Sequence, residues 1–354
     1  MAKVERGDGA PGGREGARSV VVAGGTGFVG RHVCRAFAAA GWQVTALARS
    51  RPRRRVAAGD LRLLDIGAAP TAAITELLAS VGPHVVVNAA GAVWSTTEEQ
   101  MVRANADLVG KLTTAMSALP WRGRLVQLGS VHEYGPVAEG HLIVETTPER
   151  PVSVYGRTKL AGARHVLDAA ARGQLDALVL RIANVSGPGT PRGSLLGMVA
   201  AHLARPAGLG GTGGDGGELR LSPLLSTRDF VDVRDVAAAA VAAAGSGVSG
   251  RVVNIGSGRA VQVRTLVRRL IELSGREVRL AEDAPPPRRG DSAEWQQLDI
   301  SAARTLLGWQ PARDLEQSLH DLLAAAMAEA AGTCADGPGR LPGGTDFSGP
   351  PSPR

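Results

Sequence analysis

The chain has 354 residues, enough to bury a substantial core in one large α/β domain or in a domain with an added lobe. Its formal net charge of +7 comes mostly from arginine, yet only 3% of residues are aromatic and the arginines are scattered, apart from the run Arg49-Ser50-Arg51-Pro52-Arg53-Arg54-Arg55. A basic stripe interleaved with stacking rings is missing, so nucleic acid is not the expected partner and a small anionic ligand is.

No stretch approaches the ~20 uninterrupted apolar residues of a spanning helix, and residues 1–18 lack the apolar centre of a secretion signal; a cytoplasmic protein without membrane contact is expected. Cys34 and Cys334 fall in a predicted helix and in a Gly/Pro-rich tail, which fits neither a disulfide framework nor a metal site. Residues 1–17 and 332–354 bury too little apolar surface to order themselves and are expected to be disordered.

In chain order, an apolar strand Ser19–Ala23 enters the loop Gly24-x-x-Gly27-x-x-Gly30 and then the amphipathic segment RHVCRAFAAAG. Glycines in such a strand-to-helix turn let the backbone approach a pyrophosphate at the positive end of the helix. Gly24, Gly27, Phe28, Val29 and Gly30 are therefore expected to touch a dinucleotide. The second strand, Gln43–Ala48, ends at Arg49, about 20 residues past that loop, where an acidic residue would take the adenosine ribose hydroxyls. A guanidinium here, with Ser50, Arg51 and Arg53 close by, suits a 2′-phosphate, so NADPH is expected and NADH is the alternative. A third strand, Leu61–Asp65, brings Asp65, with Ile66 beside it, to the adenine amino group. A fourth, His84–Ala89, carries Asn88, Ala89 and Ala90 beneath the cofactor.

A helix over Thr97–Leu119 follows, in which Asn105 is read as a prop against the strand; then come a strand at Arg124–Leu128 and a helix at Val154–Ala171. Tyr155 and Lys159 stand four residues apart on that helix and share a face, which predicts an ammonium beside a phenol. Such a neighbour favours the ionised phenol and would make a group of ordinary pKa ~10 a usable proton donor and acceptor near neutrality. With a strand at Ala177–Ile182 the alternation predicts a parallel, doubly wound sheet. After about Gly187 the alternation loosens into a smaller lobe, with the glycine-dense loop Gly208–Gly217, helices at Val233–Ala244, Val263–Ser274, Ser301–Leu307 and Leu315–Ala330, and a strand at Arg251–Ile255.

The ordered series GGTGFVG, NAAG, GSVHEYG, YGRTK, RIANVSGPG, STRDFVDVRDVA and RRGDSAEWQQLDISAARTLLGWQP, spread over roughly residues 18–330, resembles the extended short-chain dehydrogenases/reductases that act on nucleotide sugars. Within that family, GSVHEYG followed by ETTPERPVSVYGRTK and RDFVDVRDVA is most similar to the GDP-6-deoxy-D-mannose reductases. The resemblance implies a Rossmann-type dinucleotide domain over residues 18–186, with residues 187–331 mainly a nucleotide-sugar-binding lobe that returns segments to it. It implies a catalytic Ser130 beside Tyr155 and Lys159, the hydroxyl on the sugar carbonyl and the lysine also on the nicotinamide ribose.

The related 4,6-dehydratases carry Asp-Glu directly after the Ser/Thr; here Val131-His132 stands there, so elimination is disfavoured and net reduction is expected. His132 departs from the Glu expected in the mannose-type reductases and is either a replacement proton donor or a substrate contact. By the same resemblance Asn184, Arg228 and Arg288 hold the nucleotide diphosphate, and Asp229, Asp232 and Asp235 cap and start a helix, leaving no metal site. The implied activity is NADPH-dependent C4 reduction of a dTDP- or GDP-linked 4-keto-6-deoxyhexose, feeding glycosylation of a secondary metabolite. A homodimer pairing the helices Thr97–Leu119 and Val154–Ala171 is implied too. The alternatives are an NAD-dependent nucleotide-sugar 4-epimerase using the same three residues, and a non-catalytic NADP-binding module.

Overall fold

The computed structural model describes residues 17–52, 56, 59–93, 96–205, 217–283 and 295–335. Arg53, Arg288, nearly all of Gly208–Gly217 and the segments 1–16 and 336–354 lie outside the described residues.

In chain order the first part alternates β1 (Ser19–Ala23), α1 (Phe28–Ala39), β2 (Gln43–Ala48), β3 (Asp60–Leu63), α2 (Thr71–Val81), β4 (Val85–Asn88), α3 (Glu98–Val102), α4 (Leu108–Ser117), β5 (Arg124–Ser130), α5 (Val154–Ala171) and β6 (Asp176–Ile182). The second part uses shorter pieces: β7 (Asn184–Ser186), α6 (Leu195–Leu203), β8 (Glu218–Leu221), β9 (Thr227–Asp232), α7 (Val233–Gly245), β10 (Arg251–Ile255), β11 (Ala260–Gln262), α8 (Val263–Leu273), β12 (Arg279–Glu282), α9 (Ser301–Leu307) and α10 (Leu315–Ala335).

Seven strands form one parallel sheet in the order β10-β6-β5-β4-β1-β2-β3. The Val-rich runs of β1 and β4 suit it, because a parallel sheet covered on both faces needs apolar side chains in both directions. Val20 and Val22 pack into the core on one face with Phe37 and Leu178, whereas Val21 packs on the other with Ile74, Leu78 and Leu112. Connections leave β1 in opposite senses towards β2 and β4, and at such a reversal a crevice opens beyond the carboxyl ends of the strands. This is a Rossmann-type doubly wound fold. The smaller C-terminal part has its own core of Leu196, Leu203, Leu266, Leu270 and Leu322, and two small sheets, β11-β9-β7 and β12-β8.

The strands expected at 19–23, 43–48 and 251–255 and the helix at 154–171 coincide with β1, β2, β10 and α5. Three expectations are corrected. The helix at Thr97–Leu119 is not uniform: a π-turn at Arg103–Asp107 separates α3 from α4. Asn105 lies within it, accepting from Ala92 N at 2.9 Å and donating to Thr158 Oγ1 at 3.1 Å, while a Cβ on Gly162 would come within 2.1 Å of its backbone oxygen. The extra residue of the wider turn is set by those tertiary contacts. The helix expected at Leu315–Ala330 is longer: α10 continues its Ala-rich run to Ala335, into the segment expected to be disordered from Gly332, and includes Cys334. Finally, β3 ends at Leu63, which leaves Asp65 in a turn beyond the strand.

Candidate active site

The glycine loop is shaped by close backbone approaches. Gly24 adopts φ +73°, and a Cβ there would sit 2.8 Å from Ala90 Cα; on Gly30 it would lie 2.0 Å from the Gly24 oxygen. Only glycine lets β1, the start of α1 and the segment after β4 meet so tightly. Gly27 is the N-cap of α1, where no side chain accepts from the first turn and no acidic residue lies in it. Those backbone N–H groups suit an anionic pyrophosphate, so the turn fits a dinucleotide. Asn88 is fully buried, donating to Gln127 Oε1 at 2.8 Å and accepting from Ala90 N at 3.1 Å, which fixes the Ala89-Ala90 turn.

A cleft of about 960 Å³ runs along the carboxyl ends of the strands. Gly27, Phe28, Val29, Arg49, Ala89 and Ala90 line one end; Gly24, Gly30 and Asn88 lie behind that wall. Ser50 and Asp65 are exposed and do not line it, and Ile66 is buried in the core beneath. Asp65 accepts from Ala68 N at 3.3 Å.

At the centre, Ser130, His132, Tyr155 and Lys159 converge. Ser130 ends β5, and its Oγ accepts from His132 N at 3.3 Å. Ser153 caps α5 by accepting from Gly156 N at 3.0 Å. Gly156 allows that helix to press on the preceding turn, since a Cβ there would stand 2.4 Å from the His132 oxygen. This brings the Tyr155 phenol to the Ser130 hydroxyl and its ring edge-on to His132, with centroids 5.7 Å apart.

The expected pairing of Lys159 with the phenol is not what the structure shows. The Lys159 ammonium donates to the Leu128 carbonyl at the end of β5. Burial pushes the Tyr155 pKa up to about 12, with the Ser130 hydroxyl opposing and the Glu133 charge reinforcing the rise. Burial also lowers the Lys159 pKa, against the pull of Glu133. The phenol is therefore a held proton at neutral pH rather than a phenolate.

At the far end the cleft is lined by Asn184, Arg228 and the apolar Leu195, Met198, Leu221 and Phe230. Asn184 Nδ2 donates to Asp229 O at 3.0 Å and to Gln296 Oε1 at 2.8 Å, so its amide group also ties β7 to β9. The three aspartates have separate tasks. Asp229 accepts from Ser257 N and Oγ, Gly258 N and Leu298 N, and burial raises its pKa to about 6. Asp232 caps α7 through Arg234 N, and Asp235 pairs with Arg313 at 2.8 Å. Helix α1 reaches this half as well: Arg31 Nη2 donates to Gly189 O at 2.7 Å, and His32 Nε2 lies 3.0 Å from Pro188 O. Burial holds the His32 pKa down at about 4, so the ring is neutral and, facing a carbonyl, carries its proton on Nε2.

Two residues that sequence reasoning passed over belong to this geometry: Glu133 and Arg181 form a fully buried pair beneath Ser130, with Nε to Oε2 at 2.7 Å. The spacing Ser130-x-x-Glu133 is a capping-box signature and could have drawn attention to the first. Nothing local marks the second.

A family model described as the NAD dependent epimerase/dehydratase family matches residues 20–256. The chain is 41% identical over 303 residues to a dTDP-6-deoxy-L-talose 4-dehydrogenase (NAD(P)(+)) of Kitasatospora kifunensis, covering 86% of this chain and 94% of that protein. It is 31% identical over 216 residues to a GDP-6-deoxy-D-mannose reductase of Pseudomonas aeruginosa, covering 60% and 68%. Among solved structures, RMD from Pseudomonas aeruginosa complexed with NADPH superposes with a TM-score of 0.74 at 24% identity, over 88% of this chain and 98% of that one. Sequence, sheet order and glycine turn agree: the chain belongs to the NAD-dependent epimerase/dehydratase family of extended short-chain dehydrogenases/reductases.

Proposed function

We propose that the protein uses NADPH to reduce the C4 ketone of a nucleoside-diphosphate 4-keto-6-deoxyhexose. The observation that carries this reading is the convergence of Ser130, Tyr155 and Lys159 on one cleft, with Val131-His132 following Ser130 where elimination would need paired carboxylates. The two relatives described above are both named for 6-deoxyhexoses carried on nucleoside diphosphates. Arg49 at the dinucleotide end supports NADPH, since its guanidinium suits a 2′-phosphate.

The dinucleotide, when bound, supplies the two-electron reducing equivalent. The Ser130 hydroxyl orients the ketone oxygen, and Tyr155, which holds its proton at neutral pH, donates it to the alkoxide as that charge develops. Lys159 donates to the Leu128 carbonyl at the end of β5, within the same cleft. Arg228 and Arg288 hold the diphosphate by forked guanidinium donors, and Asn184, whose amide N–H groups go to Asp229 O and Gln296 Oε1, orders the β7–β9 wall beside them. On this reading residues 18–186 bind the dinucleotide and residues 187–331 mainly the nucleotide sugar. Incubation with NADPH and a dTDP- or GDP-linked 4-keto-6-deoxyhexose, followed by NMR of the sugar, tests it. Stoichiometric NADPH consumption with an alcohol at C4 is expected; a ketone left unreduced, together with interconversion of the two C4 epimers of a 4-hydroxy nucleotide sugar without net cofactor consumption, would identify a 4-epimerase instead.

A further inference from the structure

We propose that Glu133 is a positioning residue for the reduction: clamped by Arg181, its buried carboxylate fixes the Ser130 backbone N–H and with it the hydroxyl that meets Tyr155. The inference rests on the reading above for the identity of the reaction, though not for the geometry.

Glu133 and Arg181 are both withdrawn from solvent, at 0% and 1% exposure. Burying a charge is costly unless it is paired and hydrogen-bonded, so this arrangement must be held by its partners. Glu133 divides its two oxygens: Oε1 accepts from Ser130 N at 2.7 Å, and Oε2 from Arg181 Nε at 2.7 Å. The reach is possible because residue 129 is glycine; a Cβ there would lie 2.7 Å from Oε1. Ser130 in turn accepts from His132 N, so the short turn Val131–Glu133 is closed from both ends. The Ser130 hydroxyl thus sits on a backbone that one carboxylate holds.

The clamp extends to the helix that carries the proton donor. The Arg181 guanidinium lies over the Tyr134 ring, 4.4 Å from its centroid, and also pairs with Glu149. Glu149 accepts from Arg164 of α5 at 3.2 Å. Tyr134 OH donates to Asn254 Oδ1 of β10 at 2.7 Å. The end of β5, the neighbouring β6 and β10, and helix α5 are joined through side chains that do not themselves line the cleft. The Glu133 charge also acts on the reacting groups, opposing ionisation of Tyr155 and loss of charge from Lys159.

Two double variants that differ by one amide group separate positioning from bulk stability. Glu133→Gln/Arg181→Met removes both charges but keeps an oxygen for the Ser130 N–H; Glu133→Ala/Arg181→Met removes that acceptor. The glutamine variant is expected to keep kcat within about threefold of the native protein, whereas the alanine variant loses about tenfold or more in kcat with KM for NADPH and sugar nucleotide nearly unchanged. Hydrogen exchange followed by mass spectrometry should show the peptide spanning Ser130 exchanging faster in the alanine variant alone. Equal kcat and equal exchange in the two variants would overturn the proposal. Should the alanine variant fail to fold, Glu133→Asp, which withdraws the carboxylate by one methylene, takes its place with the same expected loss. If the native protein does not reduce the ketose, the functional reading has failed, and the exchange comparison still tests the placement of Ser130.

Discussion

The two ends of the cleft are built differently. The end at Gly27 and Arg49 is made from consecutive chain, a strand, a turn and a helix whose glycines are dictated by contacts within a few residues of β1 or with the turn after β4. The end at Asn184 and Arg228 is joined across long separations: Asn184 bonds Gln296, 112 residues away, and Asp229 gathers donors from Ser257, Gly258 and Leu298. Backbone shape serves the first end and side-chain chemistry the second. A substitution at one end should therefore leave the other's affinity intact, with the residues between them serving turnover.

The largest expected effect lies between the two ends. Tyr155→Phe should lower kcat by about a hundredfold or more while Kd for NADPH and the melting temperature stay near native, because only a hydroxyl and its proton are removed. Since burial keeps this phenol protonated, kcat should show no ionisation assignable to it below pH ~10. A limb nearer neutrality that vanishes in the Phe variant would mean that Lys159 leaves the Leu128 carbonyl and activates the phenol during turnover.

Next in size, Arg49→Asp should move the NADPH/NADH ratio of kcat/KM about ten- to a hundredfold towards NADH, the scale of one charge-assisted bond. KM for the sugar nucleotide should not follow it. Arg228→Ala should do the converse, raising KM for the sugar nucleotide about tenfold with NADPH binding intact. If Arg228→Ala weakens NADPH instead, the assignment of the two ends is reversed.

The smallest effect concerns the junction. In the unfolded chain His32 titrates near ~6.5, but in the fold its pKa lies at about 4, so between these values the unfolded state binds the extra proton. The contribution of His32 to stability is complete at neutral pH and is lost as pH falls from ~6.5 towards 4. Asp229, raised to about 6, works the opposite way, its folded form taking the proton first as pH falls. In His32→Gln the drop in Tm between pH 6.5 and 4.5 should be shallower by roughly 1–3 °C, and an unchanged slope would remove His32 from the acid response.

What could be read from the chain follows the same division. The glycine loop, the strands of the large sheet and the helix bearing Tyr155 and Lys159 are governed by local periodicity, turn chemistry and burial, and all were legible. The four-residue spacing also placed Tyr155 and Lys159 on one cleft, but spacing defines a face and not a partner; a buried ammonium took the carbonyl that β5 offers at Leu128. The end of the third strand was misread for a similar reason, because β3 stops at Leu63 where its pairing with β2 ends. The π-turn at Asn105 and the five short strands β7, β8, β9, β11 and β12 are products of tertiary contact and left no periodic trace. Glu133 was legible as a cap and illegible as half of a buried pair, since Arg181 comes from another strand.

Helix α1 presents its first turn to the dinucleotide end and, through Arg31 and His32, grips the Pro188 and Gly189 carbonyls that open the second half. If dinucleotide and nucleotide sugar bind at the two ends as proposed, one helix is shared by both events. Thermodynamic linkage then applies: whatever free energy the arrival of one ligand transmits through that grip, the other ligand must return in equal measure. A preferred order of addition, if measured, would describe rates alone, and the equilibrium advantage would be the same whichever molecule enters first.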